Sequence, residues 1–210
     1  MRNAVSMAKS KNELWLRVSG ICGFIAPILA FALIFSAIAS YPQFSWVDNA
    51  LSDLGVVAGS TALLFNSGLI IGGALSLIFA TGLFTFLGER AVGKMAAFFF
   101  ILASLALLAI GVFPENVRPV HYLVSVMFFV FLPISLLIFV GAFYLGRQVR
   151  MAVFTLLVAV AAAAPWVLYF SIQYVSGVAV PEAVSGFAGS VWVVTLSGKM
   201  LKKASHSKTS

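Results

Sequence analysis

The chain has 210 residues, of which 62% are hydrophobic and only 9% are charged, and its mean hydropathy is +1.09. A soluble domain has roughly 25% charged residues and a mostly polar surface, so a water-soluble fold is excluded and most of the surface is expected to face lipid. The net charge of +7 does not indicate a nucleic-acid partner. Its Lys and Arg flank hydrophobic runs, and no basic face with aromatic or motif support accompanies them.

Six apolar runs are long enough and sufficiently free of charge to cross a bilayer as helices, which takes about 20 residues each. They occupy residues 18–40, 61–87, 95–113, 120–145, 151–175 and 183–198. The predicted fold is an all-α integral membrane bundle of six transmembrane helices. We expect this domain to cover 18–198, after a basic N-terminal segment, 1–17, and before a basic tail, 199–210.

Basic residues predict the orientation, because short cytoplasmic loops of membrane proteins are enriched in Lys and Arg. An even number of spans puts both termini on one side, and every one of the 13 Lys and Arg except Arg118 falls on that side. The sequence therefore predicts a multi-pass protein of the cell membrane with both termini in the cytoplasm. The acids Asp48, Asp53, Glu115 and Glu182 fall on the outer side.

The longest predicted outer loop, residues 41–60, contains the stretch WVDNALSDLG. Trp46, Leu51 and Leu54 have spacings compatible with a short interfacial helix that Gly55 ends. We expect this short extracytoplasmic helix between the first two transmembrane helices to be a lid over the outer end of the bundle.

Polar residues that hydrocarbon cannot satisfy gather at the outer level, where we expect them to converge on one outward-opening pocket. The candidate ligand-binding residues are Ser52, Asp53, Asn66, Glu115, Arg118, His121, Gln173 and Glu182. The alternative is an ordinary interfacial rim in which these groups cap helices and bind water.

Catalytic alternatives depend on His121. With Cys22 as the single cysteine and His206 as the only other histidine, a cysteine cluster and a three-histidine zinc site are excluded. A mixed metal site of His121 with carboxylates lacks a ligand-spacing motif, so we predict no metal and no cofactor. A triad of Ser52, His121 and Asp53 is disfavoured, because Ser52 and Asp53 are sequence neighbours and no nucleophile-elbow pattern surrounds them.

Glycine and proline mark places where the helices depart from simple apolar spans. Gly68 and Gly72 form a GxxxG motif, which predicts close helix contact within the bundle. Small-residue helix faces of this kind also allow a homo-oligomer. Pro27, Pro133 and Pro165 lie inside predicted spans as kinks, which either open a cavity or only accommodate packing.

Four stretches resemble a known family: NALSDLG at 49–55, LFNSGLIIGG at 64–73, IGVFPE at 110–115 and PVHYLVSVMFF at 119–129. Together they resemble the prokaryotic membrane family called domain of unknown function 998, common in archaea and distantly related to the Frag1/DRAM/Sfk1-like group. The resemblance covers the first to the sixth helix. It implies a six-helix membrane domain with an SDLG loop, an FN pair in the second helix and a histidine that opens the fourth. These features correspond to Ser52, Asp53, Leu54, Gly55, Phe65, Asn66 and His121.

Three classes of function follow. The first is a non-enzymatic protein that binds a lipid head group or small amphiphile in the outer pocket, with membrane lipids as partners; the lipid biology of the related eukaryotic proteins points the same way by analogy of fold alone. The second is a membrane-embedded lipid hydrolase or transferase, with His121 as general base and a carboxylate that orients it or holds a metal. The third, a small transporter, is disfavoured because the middles of the spans lack ionisable groups.

Overall fold

A computed structural model describes residues 2–88 and 90–206 of the chain, with side chains from residue 10 onward. Within this part, six long α-helices and one 3-10 helix form, and no strand does. The helices are α1 (Arg2–Ala39), α2 (Ser60–Leu87), α3 (Ala91–Val112), α4 (Val120–Leu145), α5 (Val149–Ile172) and α6 (Ala179–His206), and the 3-10 helix, Leu51–Val56, is called the cap helix below. All six α-helices are long and apolar enough to cross a membrane. The protein is therefore a multi-pass membrane protein, as the six apolar runs predicted.

Several helices extend beyond the apolar runs. The sixth run, 183–198, is the centre of a 28-residue helix, because its polar residues do not interrupt the backbone ladder. Ser190 and Thr195 donate their hydroxyl hydrogens to the carbonyls of Gly186 and Val191, one turn earlier in the same helix. The fifth run was predicted to end at residue 175, whereas α5 ends at Ile172. The reason is that the next residue adopts a left-handed conformation with a φ of 45°.

The six helices form a closed ring in chain order, since each packs on the next and α6 packs back on α1. Helices that follow each other in the chain are antiparallel. The start of α1 and the end of α6 therefore lie at the same end of the bundle. We call this the basic end and the opposite end, which carries the cap helix, the capped end. The predicted tail residue Lys208 lies outside the described residues.

Glycines of α2 allow the helices to approach closely. A Cβ added to Gly68 would lie 3.0 Å from the Cβ of Leu33, and one added to Gly72 would lie 2.9 Å from the Cβ of Ala30, both on α1. The GxxxG prediction of helix contact within the bundle is therefore confirmed. Whether small-residue faces also join two copies of the chain remains a prediction.

An aromatic cluster fills the centre of the ring. It lies between the middle of the bundle and the basic end. Trp192 is fully buried, and its ring centroid lies 6.4 Å from that of Phe79, 5.5 Å from that of Phe100 and 4.7 Å from that of Phe139. Its indole N–H donates to the hydroxyl of Thr155 at 3.1 Å, which satisfies a polar group that hydrocarbon would not. We call Trp192 and these three phenylalanines the aromatic plug, because they occupy the space that a channel would need.

Candidate functional site

The cap helix closes the capped end of the ring. In a 3-10 helix, residues three apart eclipse one another, so Leu51 and Leu54 face the bundle together, and both are buried. The carboxylate of Asp53 accepts hydrogen bonds from the backbone N–H of Ala50 at 3.0 Å and from the side-chain amide of Asn49 at 2.8 Å. The capping interpretation of the SDLG stretch therefore holds for Asp53.

The predicted loop helix is present, but its bounds differ from the prediction. Trp46 lies in a turn before the helix, and Gly55 lies inside it rather than at its end. The three-residue spacing of Leu51 and Leu54, not a spacing that includes Trp46, determines which face is buried. The helix therefore docks onto the bundle through this face.

Three side chains fasten the cap helix to the elements beneath it. The side-chain amide of Asn66 on α2 donates to the carbonyl of Gly55 at 2.9 Å. The carboxylate of Glu182 on α6 accepts the backbone N–H of Leu51 at 2.7 Å. The hydroxyl of Ser52 donates to the carboxylate of Glu115, between α3 and α4, at 3.4 Å. The cap helix is thus held from three sides.

The loop that precedes the cap helix is bonded to the loop between α5 and α6. The backbone N–H of Gly177 donates to the carbonyl of Val47 at 2.6 Å, and a Cβ at Gly177 would lie 2.5 Å from the carbonyl carbon of Asp48, so only glycine fits here. The carboxylate of Asp48 accepts the hydroxyls of Ser176 and Ser45, each at 2.7 Å. Both bonds lower the pKa of Asp48, and the bond from Ser176 has the larger effect. We call these contacts the loop clasp.

Beneath the cap helix lies a cavity enclosed by α1, α2, α3, α4 and α6. Its volume is about 120 Å³, compared with the ~10–15 Å³ that holds one water. Phenylalanine, alanine, leucine and glycine supply 16 of its 26 lining residues, and five more are serines. Pro27 belongs to this wall, so one of the predicted proline kinks lies at a cavity.

The cavity runs from the capped end to the middle of the bundle. On α6 its wall extends from Glu182 to Val193, which at a rise of 1.5 Å per residue is roughly 16 Å. At the deep end, Phe100 belongs both to the wall and to the aromatic plug. The plug therefore forms a blind end, and the described residues provide no polar path from the cavity to the basic end.

His121 sits at the start of α4 and is buried. Its Nδ1 lies 2.7 Å from the carbonyl oxygen of Phe113, the residue after α3, and its Nε2 lies 3.4 Å from the hydroxyl of Ser125. A carbonyl only accepts, so Nδ1 carries the proton and Nε2 accepts the hydroxyl hydrogen of Ser125. Ser125 belongs to the cavity wall. The histidine thereby ties α3 to α4 and also aligns a serine at the cavity.

A family model described as "Protein of unknown function (DUF998)" matches residues 24–199. The chain belongs to this family. Comparison with curated proteins and with solved structures gave no match.

The DUF998 motifs that the sequence analysis singled out lie together at the capped end. The SDLG residues form the cap helix, Phe65 belongs to the cavity wall, and Asn66 holds the cap helix through Gly55. His121 fixes the end of α3 beside them. Stretches that are far apart in this DUF998 chain are thus parts of one structure around the cavity.

The predicted site residues divide into three groups. Ser52, Asp53, Glu115 and Glu182 come together, and the carboxylates of Asp53 and Glu115 are close enough to Glu182 to interact with it electrostatically. Asn66 and His121 flank this group as fasteners of the cap helix and of α3. Arg118 pairs with Glu115 at 2.9 Å on the exposed surface, and Gln173 is exposed at the end of α5, which does not line the cavity.

Sequence reasoning missed Ser125 and the apolar character of the pocket. Ser125 follows His121 by four residues, a spacing that puts two side chains on the same helix face, so the signal was present. The rest of the cavity wall had no signal, because its residues come from five α-helices and the cap helix and most are ordinary apolar residues of membrane spans.

Proposed function

We propose that this membrane protein binds a lipid or another single-chain amphiphile, with the hydrocarbon chain in the cavity and the polar group at the capped end. The observation that carries the proposal is a deep, mostly apolar, blind cavity whose one ionisable side chain among the described residues, Glu182, lies at its mouth. Ligand pockets generally have this composition, with few polar groups that fix orientation. The partners that bind in this way are lipids of the surrounding membrane.

The length of the cavity supports a single lipid chain. Its depth of roughly 16 Å is close to half of the ~30 Å hydrocarbon core of a bilayer, which is the depth of one leaflet. A chain taken from one leaflet therefore fits with its end at the aromatic plug. A transport path through the bundle is disfavoured, because Trp192 and its partners occupy the centre of the ring beyond the cavity.

The proposal includes the orientation in the cell membrane. Because the described Lys and Arg other than Arg118 lie on the segments at the basic end, the positive-inside rule favours a cytoplasmic basic end with both termini. The capped end and the mouth of the cavity then face outward, as the predicted topology requires.

The experiment is to fill the cavity. Gly186 lies in its wall, and an added Cβ there would meet only Phe31, at 3.7 Å, so Gly186→Leu puts a side chain into the empty space. The matched control is Gly198→Leu on the same helix, where an added Cβ meets nothing within 4 Å. Lipids that remain bound through purification in mild detergent are identified and counted by mass spectrometry.

We expect about one lipid per native chain and per Gly198→Leu chain, and a loss of most of it in Gly186→Leu. Equal lipid retention in all three proteins would show that the lipid sits on the outer surface of the bundle and would remove the proposal.

A second candidate function, lipid ester hydrolysis or acyl transfer, is favoured by the His121–Ser125 pair. In this reaction the Ser125 oxygen attacks the ester carbonyl while its proton passes to Nε2 of His121. That proton then leaves with the released alcohol, and water or a second alcohol takes the acyl group from the serine. The bond between Nδ1 of His121 and the Phe113 carbonyl keeps the ring in the tautomer that this step needs.

His121→Gln and Ser125→Ala separate the two candidates, with Ser104→Ala as a control that also lies in the cavity wall. Purified protein is incubated with a mixed lipid extract, and products and bound metal are measured by mass spectrometry. Binding without catalysis predicts retained lipid, no products and no stoichiometric metal. Lipid cleavage by the native protein that falls at least roughly a hundredfold in His121→Gln and Ser125→Ala, but not in Ser104→Ala, would establish the enzyme instead.

A further inference from the structure

Glu182 is the one ionisable side chain among the described residues that line the cavity. It lies at the mouth, as the fourth residue of α6, and one of its carboxylate oxygens accepts the backbone N–H of Leu51. A carboxylate offers about four lone-pair positions on two oxygens. Acceptor capacity therefore remains at the point where the polar group of a bound chain would lie.

Four of the five serines of the wall add little donor capacity, and the fifth, Ser76, lies deep in the cavity on α2, far from the mouth. Ser104 and Ser190 donate their hydroxyl hydrogens to carbonyls of their own helices. Ser125 donates to the ring of His121, and Ser52 donates to a carboxylate at the mouth. These hydroxyl hydrogens are used within the protein, so the mouth presents acceptors to a ligand.

The charge around the mouth is also negative. Asp53 and Glu115 are near enough to Glu182 to interact electrostatically, and Arg118 is exposed and pairs with Glu115. The other Lys and Arg that the structure describes lie toward the basic end. Although the whole chain carries a net charge of +7, the charged neighbours that act on Glu182 are the carboxylates of Asp53 and Glu115. An ammonium group at this poorly hydrated mouth compensates the carboxyl group of Glu182, whereas an anionic group adds another like charge.

We infer that the ligand is a single-chain lipid whose polar group donates hydrogen bonds and carries no negative charge, such as a primary amine or an alcohol, and that Glu182 receives it. This inference rests on the proposed function, since it names the polar group of the chain that the cavity takes. Fatty acids and other anionic amphiphiles are the class that the site rejects.

The test uses three probes with the same twelve-carbon chain: dodecylamine, dodecanol and dodecanoate. Each is titrated against the purified chain in one detergent, and occupancy is followed by native mass spectrometry. Glu182→Gln is the variant, and its amide oxygen still accepts the Leu51 N–H, so the cap helix keeps its bond. Glu13→Gln, at the basic end, removes one negative charge far from the cavity and is the matched control.

For the native protein we expect dodecylamine and dodecanol to bind about tenfold more tightly than dodecanoate, the ratio that one charge-assisted hydrogen bond provides. In Glu182→Gln the affinity for dodecylamine should fall about tenfold and that for dodecanol by less, with no change in Glu13→Gln. The overall positive charge of the chain would produce the opposite order, so nonspecific attraction cannot imitate this result.

Two other results would contradict the inference in different ways. If dodecanoate binds as tightly as dodecylamine, or if the preference survives in Glu182→Gln, the cavity takes chains without selecting the polar group, and only this inference fails. If none of the probes binds the native protein, the proposed function fails with it. If Glu182→Gln does not fold, the order of the affinities of the native protein for dodecylamine, dodecanol and dodecanoate tests the inference.

Discussion

Asn66 is a polar residue inside a membrane span whose side chain forms a hydrogen bond to the backbone of another element. Its amide donates to the carbonyl of Gly55, and a Cβ at Gly55 would lie 2.7 Å from the Asn66 side-chain oxygen. The sequence indicated that Asn66 needs a partner inside the bundle, because hydrocarbon cannot satisfy an amide. Its partner could not be predicted, since Gly55 carries no side chain that would mark the contact.

Replacing Asn66 therefore tests the docking of the cap helix. Asn66→Ala should lower the free energy of unfolding in detergent by about 1 kcal/mol, the net value of one hydrogen bond, and should speed hydrogen exchange in residues 51–56. Ser67→Ala is the control, because Ser67 bonds only to carbonyls of its own helix. Unchanged exchange in the cap helix of Asn66→Ala would mean that the bonds of Glu182 and Ser52, with the apolar contacts of Leu51 and Leu54, hold it without Asn66.

The contrast between Glu182 and Gln173 marks the limit of residue-level prediction. Both were placed at the outer level from their positions near helix ends, and both are at the capped end. Only Glu182 faces the cavity, because α6 lines it and α5 does not. Depth follows from distance along a helix, whereas the direction of a side chain depends on how the helices are arranged around the ring.

At the scale of elements, the loop clasp links the loop before the cap helix to the loop before α6. The pKa of Asp48 is lowered by its bonds to Ser176 and Ser45. The ionised carboxylate therefore stabilises the clasp when the pH is above about 3.9, the pKa of Asp48 in the unfolded chain. This contribution is lost as the pH falls through the folded value. We therefore expect the clasp to loosen below about pH 4.

Hydrogen exchange of the Gly177 and Ala179 amides, whose N–H groups donate across the clasp, measures this directly. After correction for intrinsic rates, their protection should stay constant from pH 6 to about pH 4 and fall at lower pH, relative to amides in α2. In Asp48→Asn the protection should already be lower at pH 6 and should show no such step. A step of the same size in both proteins would assign the change to another group.

Element bounds were predictable where composition changes sharply and not elsewhere. The fourth span was predicted at 120–145, and α4 has these bounds, since Pro119 precedes it and Gly146 follows it. The sixth run gave only the centre of α6, because the helix continues past the basic residues Lys199, Lys202 and Lys203, which ended the apolar run. The cap helix was foreseen as an element, but its docking depends on neighbours that the sequence does not reveal.

At the scale of the whole molecule, the count of six helices followed from hydropathy, whereas the closed ring did not. Ring closure depends on packing between α1 and α6, where Phe31 meets Phe187 with ring centroids 6.0 Å apart. Aromatic residues are abundant in the chain, 20 of them phenylalanine, so no single pair could be singled out. The cavity is a consequence of this closure.

The orientation of the molecule is tested by cysteine accessibility in a Cys22→Ala background. Val56, on the cap helix, and Lys202, near the basic end, are both exposed. In intact cells, a membrane-impermeant maleimide should label Val56→Cys, and it should label Lys202→Cys only after the membrane is permeabilised. The reverse pattern would invert the topology and place the cavity mouth at the cytoplasm.

The claim that a lipid chain enters the bundle is tested most directly by a dodecanol whose chain ends in a photoactivatable diazirine. After illumination in nanodiscs, cross-linked residues are mapped by mass spectrometry. The account predicts cross-links at the deep end of the cavity, on Phe100, Leu132 and Val193, and their loss in Gly186→Leu. Cross-links confined to the lipid-facing surface of α5, such as Leu157 and Val160, with none at the deep end, would contradict it.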